Sequence, residues 1–482
     1  MLARAVTHAL VGLEPRRVEV EAEVRDKGLP AFVIVGLPDR ACAEARQRVR
    51  SGIVAAELRF PSGRVIVNLA PAGLRKEGSG YDLAIALAIL AASRQVPRER
   101  VEAHASVGEL ALDGRLRRVG GVLAVAEGAR RGGMARVLCP YEAGPEAVLA
   151  GVEAVAVRHL AEAVAYLRGE AEPPPVEPQP PADLEPVPDL ADVRGQERAR
   201  RALEIAAAGS HNLLLAGPPG TGKTMLARRL PGLLPPLTES AALEVTRIHS
   251  VAGLLSAEQP LLTRPPFRAP HHSASTAAIV GGGPGIRPGE ASLAHRGVLY
   301  LDELAEFQRA TLEALRQPLE DGIVHVARAA GRAVFPARFQ LVGAMNLCPC
   351  GARGDPRLTC TCSQQRLAAY RGRLSRALLD RFDLVVTLPR SRADELSAPP
   401  GETSAPVAAR VAAARARPPA RRSTDADALL SRAVDRMPLS GRGRARVARV
   451  ARTIAALAAS DRVEAEHLAE ALSYRSPQEV AA

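Results

Sequence analysis

Gly217-Pro218-Pro219-Gly220-Thr221-Gly222-Lys223-Thr224 decides how this chain is read. It follows the short apolar run Asn212-Leu-Leu-Leu-Ala216, which predicts a strand, and a helix is expected to start within it. A strand, a glycine-rich turn and a helix start form an anion cradle. The glycines let backbone N–H groups approach phosphate oxygens, and the helix dipole adds positive potential. Lys223 is placed to reach the β- and γ-phosphates, and Thr224 to ligate Mg²⁺. Composition adds weight. Among 64 basic residues the only lysines are Lys27, Lys76 and Lys223. A compact ammonium fits between phosphate oxygens where a planar guanidinium does not, so a lysine kept here in an Arg-rich chain points to function. The expected ligand is ATP or GTP.

The other half of the site is read from Leu299-Tyr-Leu-Asp302-Glu303, an apolar strand ending in two carboxylates. Asp302 is placed to hold the Mg²⁺ shell, and Glu303 to orient and deprotonate the attacking water. Strands often end in acids, so the pair gains its weight from sharing an α/β block with the phosphate loop. Asn346 follows the strand pattern Phe339-Gln-Leu-Val-Gly-Ala344. A side-chain amide there positions water and senses the γ-phosphate; a turn asparagine is the plain alternative. Arg381, in Leu379-Asp-Arg-Phe-Asp383, reads as an arginine finger for a neighbouring subunit's ATP or as the salt-bridge partner of Asp380 or Asp383. Arg442, Arg446 and Arg449 stand at i, i+4 and i+7 on one face of an expected helix. Arg442 is expected to reach back to the phosphates from a lid, while Arg446 and Arg449 read as a solvated face.

Three blocks separate along the 482 residues, a length that suits about three domains at ~150 residues each. Residues 1–170 are mixed α and β. Val18-Glu-Val-Glu-Ala-Glu-Val24 alternates as a strand with one wet face, Arg64–Leu69 reads as another, and Tyr81–Leu90 is apolar nearly all round, as in a buried helix. Residues 171–188 are dense in proline, which favours an extended, semi-rigid linker. From 189 to 390, helices alternate with strands, which implies a parallel sheet covered on both faces. Residues 391–482 open with a variable Ala/Arg/Pro/Ser stretch to about 425 and end in a helical tail.

The chain is 47% hydrophobic and 24% charged, ordinary globular material, and no apolar run reaches the ~20 residues a membrane helix needs. Met1-Leu-Ala-Arg-Ala-Val6 lacks the apolar stretch of a secretory signal, so a cytoplasmic location is expected. A net charge of +12 suggests a polyanionic partner such as nucleic acid, although an Arg-rich composition alone makes a basic surface. With 3% aromatics and no Trp, base stacking is a poor binding mode, and any grip on nucleic acid falls to Arg on phosphates. Cys348-Pro-Cys350 and Cys360-Thr-Cys362 form two Cys-x-Cys pairs. Four thiolates so close can enclose Zn²⁺. Reduced loop cysteines are the other reading, and the spacing leaves both open. Cys42 and Cys139 are isolated and read as core.

Phosphate loop, Asp302-Glu303, Asn346, Arg381 and a helical lid bearing Arg442 together resemble an AAA+ ATPase. Pro265-Pro-Phe-Arg-Ala-Pro-His271-His272-Ser, Gly281-Gly-Gly, Pro288–His295, Arg316–Glu320 and Phe335–Phe339 resemble, more narrowly, the magnesium-chelatase-like ComM/YifB family. The resemblance covers nearly the whole chain. It implies ATP, Mg²⁺ and a ring, expected to be a hexamer, moving on DNA; family members are associated with branch migration during natural transformation, as ATP-dependent helicases. It also implies that a hairpin before the Asn346 strand, read at Ile323–Phe335, faces the ring pore, where Arg328 and Arg332 would touch the DNA backbone. Ordinary surface arginines are the alternative. Adjacent side chains seldom point the same way, so the His271-His272 pair reads as part of a loop rather than a metal site. Family members are expected to carry Asn-Pro-Cys-Pro-Cys-Gly, and Leu347 stands here in place of the first Pro.

Residues 1–170 resemble the α+β proteolytic domain of Lon-type proteases at Lys76–Leu83, Val107–Gly114, Gly120-Gly121 and Ala126–Gly133. A Ser–Lys dyad needs a serine beside a lysine base. The nucleophile position falls on Gly80, with Ser79 one place early, and no lysine follows Gly121. An inactive domain serving assembly or a protein partner is therefore expected. Three rivals to the motor reading are weighed, an ATP-dependent Lon-like protease, the ATPase subunit of a metal chelatase, and a binding scaffold without turnover, against which an intact Glu303 speaks.

Overall fold

The computed structural model describes residues 1–25, 29–177, 186–283, 286–328, 331–437 and 439–475. Residues 178–185 of the proline-rich segment lie outside the described residues, and 171–177 and 186–188 form no regular element.

The first block is built on a seven-stranded mixed sheet. Its order is Ala31–Val35, Arg64–Ala70, Glu14–Arg25, Leu2–Val11, His104–Ser106, Arg136–Pro140, Glu153–Val157. The Val/Glu alternation works as read: Val18, Val20, Ala22 and Val24 are buried, while the glutamates between them stay wetter. Helix Asp82–Ala92 is buried at every residue and packs against strands Leu2–Val11 and Glu14–Arg25. A charge at its start is tolerated because Arg48 meets Asp82 with two hydrogen bonds of 2.6 and 3.1 Å, and the Leu110 N–H adds a third. Cys42 and Cys139 are both buried.

The second block carries a five-stranded parallel sheet in the order Phe267–Arg268, Val298–Leu301, Gln340–Met345, Leu213–Ala216, Leu384–Thr387. Leu213–Ala216 and Val298–Leu301 are buried throughout, as strands covered on both faces must be. The order interleaves the chain: the strand before Asn346 lies between the phosphate-loop strand and the Asp302 strand. All strands run the same way, so loop, carboxylates and amide emerge at one edge.

Four longer helices follow, Ser404–Ala416, Thr424–Arg436, Gly441–Leu457 and Ala465–Ser473. The first falls inside the stretch read as a variable connector. Its Val407, Val411 and Ala414 are buried against the second block, but in an Ala/Arg background so thin a stripe does not stand out.

The two blocks dock on each other. Glu146, nearly fully buried, accepts hydrogen bonds from the Leu123 N–H (2.9 Å), from Arg118 (2.7 Å) and from the Ser250 hydroxyl of the second block. Arg118 also donates to the Leu255 carbonyl, and the Gly121 N–H to the Ser250 carbonyl. Among the described residues no helix is long and apolar enough to cross a membrane.

Candidate nucleotide site

The phosphate loop leaves its strand at Gly217, where any Cβ would stand 2.4 Å from the Leu388 carbonyl oxygen, so only glycine fits. Gly222, at φ 86°, turns the chain into helix Lys223–Ala227. Thr221 ties the loop by donating to the Pro218 carbonyl at 2.9 Å. Pro218 and Pro219 rest against Gly354 and Gly351 of the cysteine-bearing loop. Gly220, at φ 75°, leaves its outer face open.

The Lys223 ammonium donates to the carbonyls of Gly217 and Pro218, both at 2.8 Å, and lies 3.3 Å from Asn346 Oδ1. Burial pulls its pKa below the ordinary lysine value, against the opposing pull of Asp302. The loop thus holds a partly desolvated cation whose present partners are neutral, and phosphate oxygens are better ones. Thr224 Oγ1 donates to Asp302 Oδ2 at 2.7 Å and receives the Tyr300 hydroxyl at 3.1 Å. Hydroxyl and carboxylate are the hard oxygen donors Mg²⁺ requires, so Thr224 and Asp302 fit that ion. Tyr300 was not singled out from sequence; it reads there as one more apolar strand residue.

Glu303 sits in the left-handed region at φ 50°, with its side chain about half exposed at 56%. Its Oε2 lies 3.0 Å from Nδ1 of His272, whose ring lies tilted against that of His271 with centroids 4.1 Å apart. The histidine pair is in a loop, as expected, but a loop that touches the proposed water-activating carboxylate.

Arg381 is at the opposite edge of the sheet. It precedes Leu384, which pairs with Leu213 at the start of the phosphate-loop strand. Its guanidinium bonds Glu320, not Asp380 or Asp383; Arg475 takes Asp380, and Arg449 takes Asp383 at 3.0 Å. Arg442 corrects the sequence reading. It lies 3.3 Å from the same Glu320, so it stands with Arg381 and away from its own phosphate loop, because the lid packs across the far edge of the sheet. Arg446 is likewise no solvated residue: its side chain is 15% exposed and lies 3.8 Å from Asp383. Burial lowers its pKa. Arg381, Arg446 and Arg449 line a cleft of about 780 Å³, and Arg381 Nε and Arg446 Nη1 are without hydrogen-bond partners.

Strands Ile323–Arg328 and Gly331–Pro336 pair as an antiparallel hairpin. Val324, Val326, Ala333 and Phe335 are buried, whereas Arg332 is on the exposed face. The Arg328 side chain, with residues 329 and 330, lies outside the described part. The second strand also touches the N-terminal strand Leu2–Val11 of the first block, and Leu13 in the turn after that strand joins Ala333 and Phe335 in one cluster.

The four cysteine sulfurs lie within 4.8 Å of one another, with Cys348 to Cys350 at 3.3 Å and Cys350 to Cys360 at 3.7 Å. A tetrahedral Zn–thiolate site at ~2.3 Å per bond sets its sulfurs about 3.8 Å apart, so the cluster fits Zn²⁺. In the first block the Ser79 hydroxyl donates to Glu109, while the buried Lys76 amine donates to the Pro71 carbonyl. Gly80 carries no nucleophile.

Residues 189–396 match the family described as magnesium chelatase, subunit ChlI; residues 18–143 match subunit ChlI of Mg-chelatase, and 418–475 its C-terminal part. The chain is 48% identical over 498 residues to the uncharacterized protein Rv2897c of Mycobacterium tuberculosis, with 98% of both chains covered. It is 43% identical to the uncharacterized protein YifB of Escherichia coli, covering 98% of this chain and 96% of that one. To the competence protein ComM of Haemophilus influenzae it is 41% identical, covering 98% and 97%.

Proposed function

The chain belongs to the magnesium-chelatase-like ComM/YifB family of AAA+ ATPases, and on that premise we propose that it is a cytoplasmic, ATP-driven motor on DNA, a ring, with six subunits expected, that unwinds or branch-migrates recombination or transformation intermediates. One observation carries the ring: Lys223 and Arg381 occupy opposite edges of one parallel sheet, so a single subunit does not complete a hydrolytic site.

Each ATP is read as lying between two subunits. Lys223 turns from the Gly217 and Pro218 carbonyls to the β- and γ-phosphates. Thr224 and Asp302 would hold Mg²⁺, which would supply positive charge against the phosphate oxygens. Glu303 takes a proton from the attacking water as the water oxygen bonds the γ-phosphorus and the bond to the ADP oxygen breaks. Asn346, beside Lys223, orients that water. Arg381 and Arg442 of the neighbour, released from Glu320, meet the charge that develops. Arg381 Nε and Arg446 Nη1, buried without partners, favour an anion at that cleft.

The hairpin carrying Arg328 and Arg332 is read as the DNA grip, which suits a net charge of +12. The first block is read as a Lon-like domain without peptidase chemistry. Ser79 faces a carboxylate and Lys76 a backbone carbonyl, which argues against the protease rival. The chelatase rival is disfavoured by likeness to YifB and ComM across almost the entire chain. The cysteine cluster is read as a Zn²⁺ site; the ion would clip the loop that backs Asn346 and the phosphate loop.

ATP turnover with linear, forked and four-way DNA across a salt series tests the reading. We expect stimulation, strongest on branched DNA, that fades steeply with salt because phosphate contacts release counterions. Arg332→Glu should lose stimulation and keep nucleotide binding. Absence of stimulation by every DNA would leave an ATPase without a DNA function.

A further inference from the structure

Strand Val298–Leu301 alternates its side chains across the sheet. Val298 and Tyr300 share a core with Leu226 and Ala227 of the phosphate-loop helix, while Leu299 and Leu301 fill the core of the opposite face. Two residues past Tyr300, at the strand's end, Asp302 falls on the same side. Tyr300 is 2% exposed, and its ring stacks on that of Phe267 with centroids 5.8 Å apart. Phenylalanine would serve this packing equally well. A hydroxyl added there costs free energy unless it meets a partner, and its partner is Thr224 Oγ1, 3.1 Å away. A threonine hydroxyl has one proton and two lone pairs. The Thr224 proton goes to Asp302 Oδ2 at 2.7 Å, and one lone pair takes the Tyr300 proton. One lone pair is left. An unrestrained threonine side chain moves among staggered rotamers; these two hydrogen bonds, to different groups, hold this one in place.

We propose that Tyr300 is a positioning residue for the divalent cation: it fixes the Thr224 hydroxyl so that its remaining lone pair is free for Mg²⁺ before nucleotide arrives. Tyr300 touches neither nucleotide nor metal and acts through Thr224 alone. Without the phenol, the Thr224 hydroxyl keeps only Asp302 and must be ordered as the cation binds, which weakens the cation and leaves the phosphate contacts of Lys223 as they were. The inference rests on the reading of Thr224 and Asp302 as the Mg²⁺ ligands.

Binding of a fluorescent ATP analogue to wild type and Y300F, in EDTA and across a Mg²⁺ titration, tests it. Y300F keeps the ring and its packing, so its affinity in EDTA should match that of wild type. The Mg²⁺ concentration that gives half the full enhancement of binding should rise about three- to tenfold, the scale of one neutral hydrogen bond. A role in packing alone would instead lower affinity in EDTA and with Mg²⁺ by the same factor, since the phosphate-loop helix itself would shift. F267L, which loosens the ring stack and keeps the hydroxyl, should move the Mg²⁺ midpoint less than Y300F does. Coincident Mg²⁺ titrations for wild type and Y300F, a loss for Y300F that is equal with and without Mg²⁺, or a shift in F267L as large as that in Y300F overturns the proposal. Wild-type binding that ignores Mg²⁺ removes the metal reading of Thr224 and Asp302 instead, a failure visible before any variant is made.

Discussion

Lys223→Ala and Arg381→Ala proteins, each inactive alone, should recover turnover when mixed. Strand Leu384–Thr387 runs parallel to Leu213–Ala216 in register, with Arg381 before its start and Gly217 after the end of its partner. Four strand residues at about 3.3 Å each place ~13 Å between the two edges before any side chain is counted. That exceeds the reach of an arginine, so Arg381 is too far from its own subunit's phosphate loop, and on the proposed reading it would serve a neighbour's ATP. Loss of such a guanidinium is worth ~10³–10⁵ in turnover, and loss of Lys223 removes the phosphate contact itself. Arg381→Ala should still fold, since its partner Glu320 is 46% exposed and can turn to solvent. In an equimolar mixture allowed to exchange subunits, half the loops and half the fingers are intact. About one quarter of the contacts then join an intact loop to an intact finger, giving roughly a quarter of wild-type turnover if contacts act independently. Malachite-green phosphate release after co-refolding or subunit exchange reads this directly. Mixtures no more active than the separate variants, in rings shown to be mixed, would refute the shared site.

Elemental analysis of protein purified without chelator should find one zinc per chain, and Cys360→Ser should lose it. With Asn346 no longer backed by a fixed loop, turnover should fall ~10-fold or more while ATP binding persists, since a misplacement of about 1 Å can be worth up to ~100-fold; metal-free protein with full activity would refute the site. Acid should weaken the first block through His8, whose pKa is brought from 6.5 to about 4 by burial and then by Arg17. The unfolded chain binds the extra proton between those two values, so stability is complete above about 6.5 and falls as pH drops toward 4, by about 3 kcal/mol for the full shift. Burial shifts His104, His249 and His295 in the same direction. Melting curves of wild type and His8→Gln from pH 7 to 4 should diverge from each other in slope, and parallel curves would refute the assignment.

What could be read from the chain alone was local. The phosphate loop needs only neighbouring residues that permit φ above zero at Gly220 and Gly222 and a lysine at the helix start. The Val/Glu strand and the all-apolar helix Asp82–Ala92 are likewise written in a period of a few residues. The helix Ser404–Ala416 was not legible, since three small buried side chains make too faint a stripe.

The sites that depend on strand order escaped the sequence. Nothing local says that the Asn346 strand inserts between two others, that Tyr300 meets Thr224, or that His272 meets Glu303. Arg442 shows the limit best: its type and helix were readable, but which edge of the sheet it guards was not. That depends on where the lid packs, which is settled by Arg446 and Arg449 against Asp383 and by Thr453 against His211. Such contacts join residues far apart in the chain, and their energies exist only once the sheet has formed.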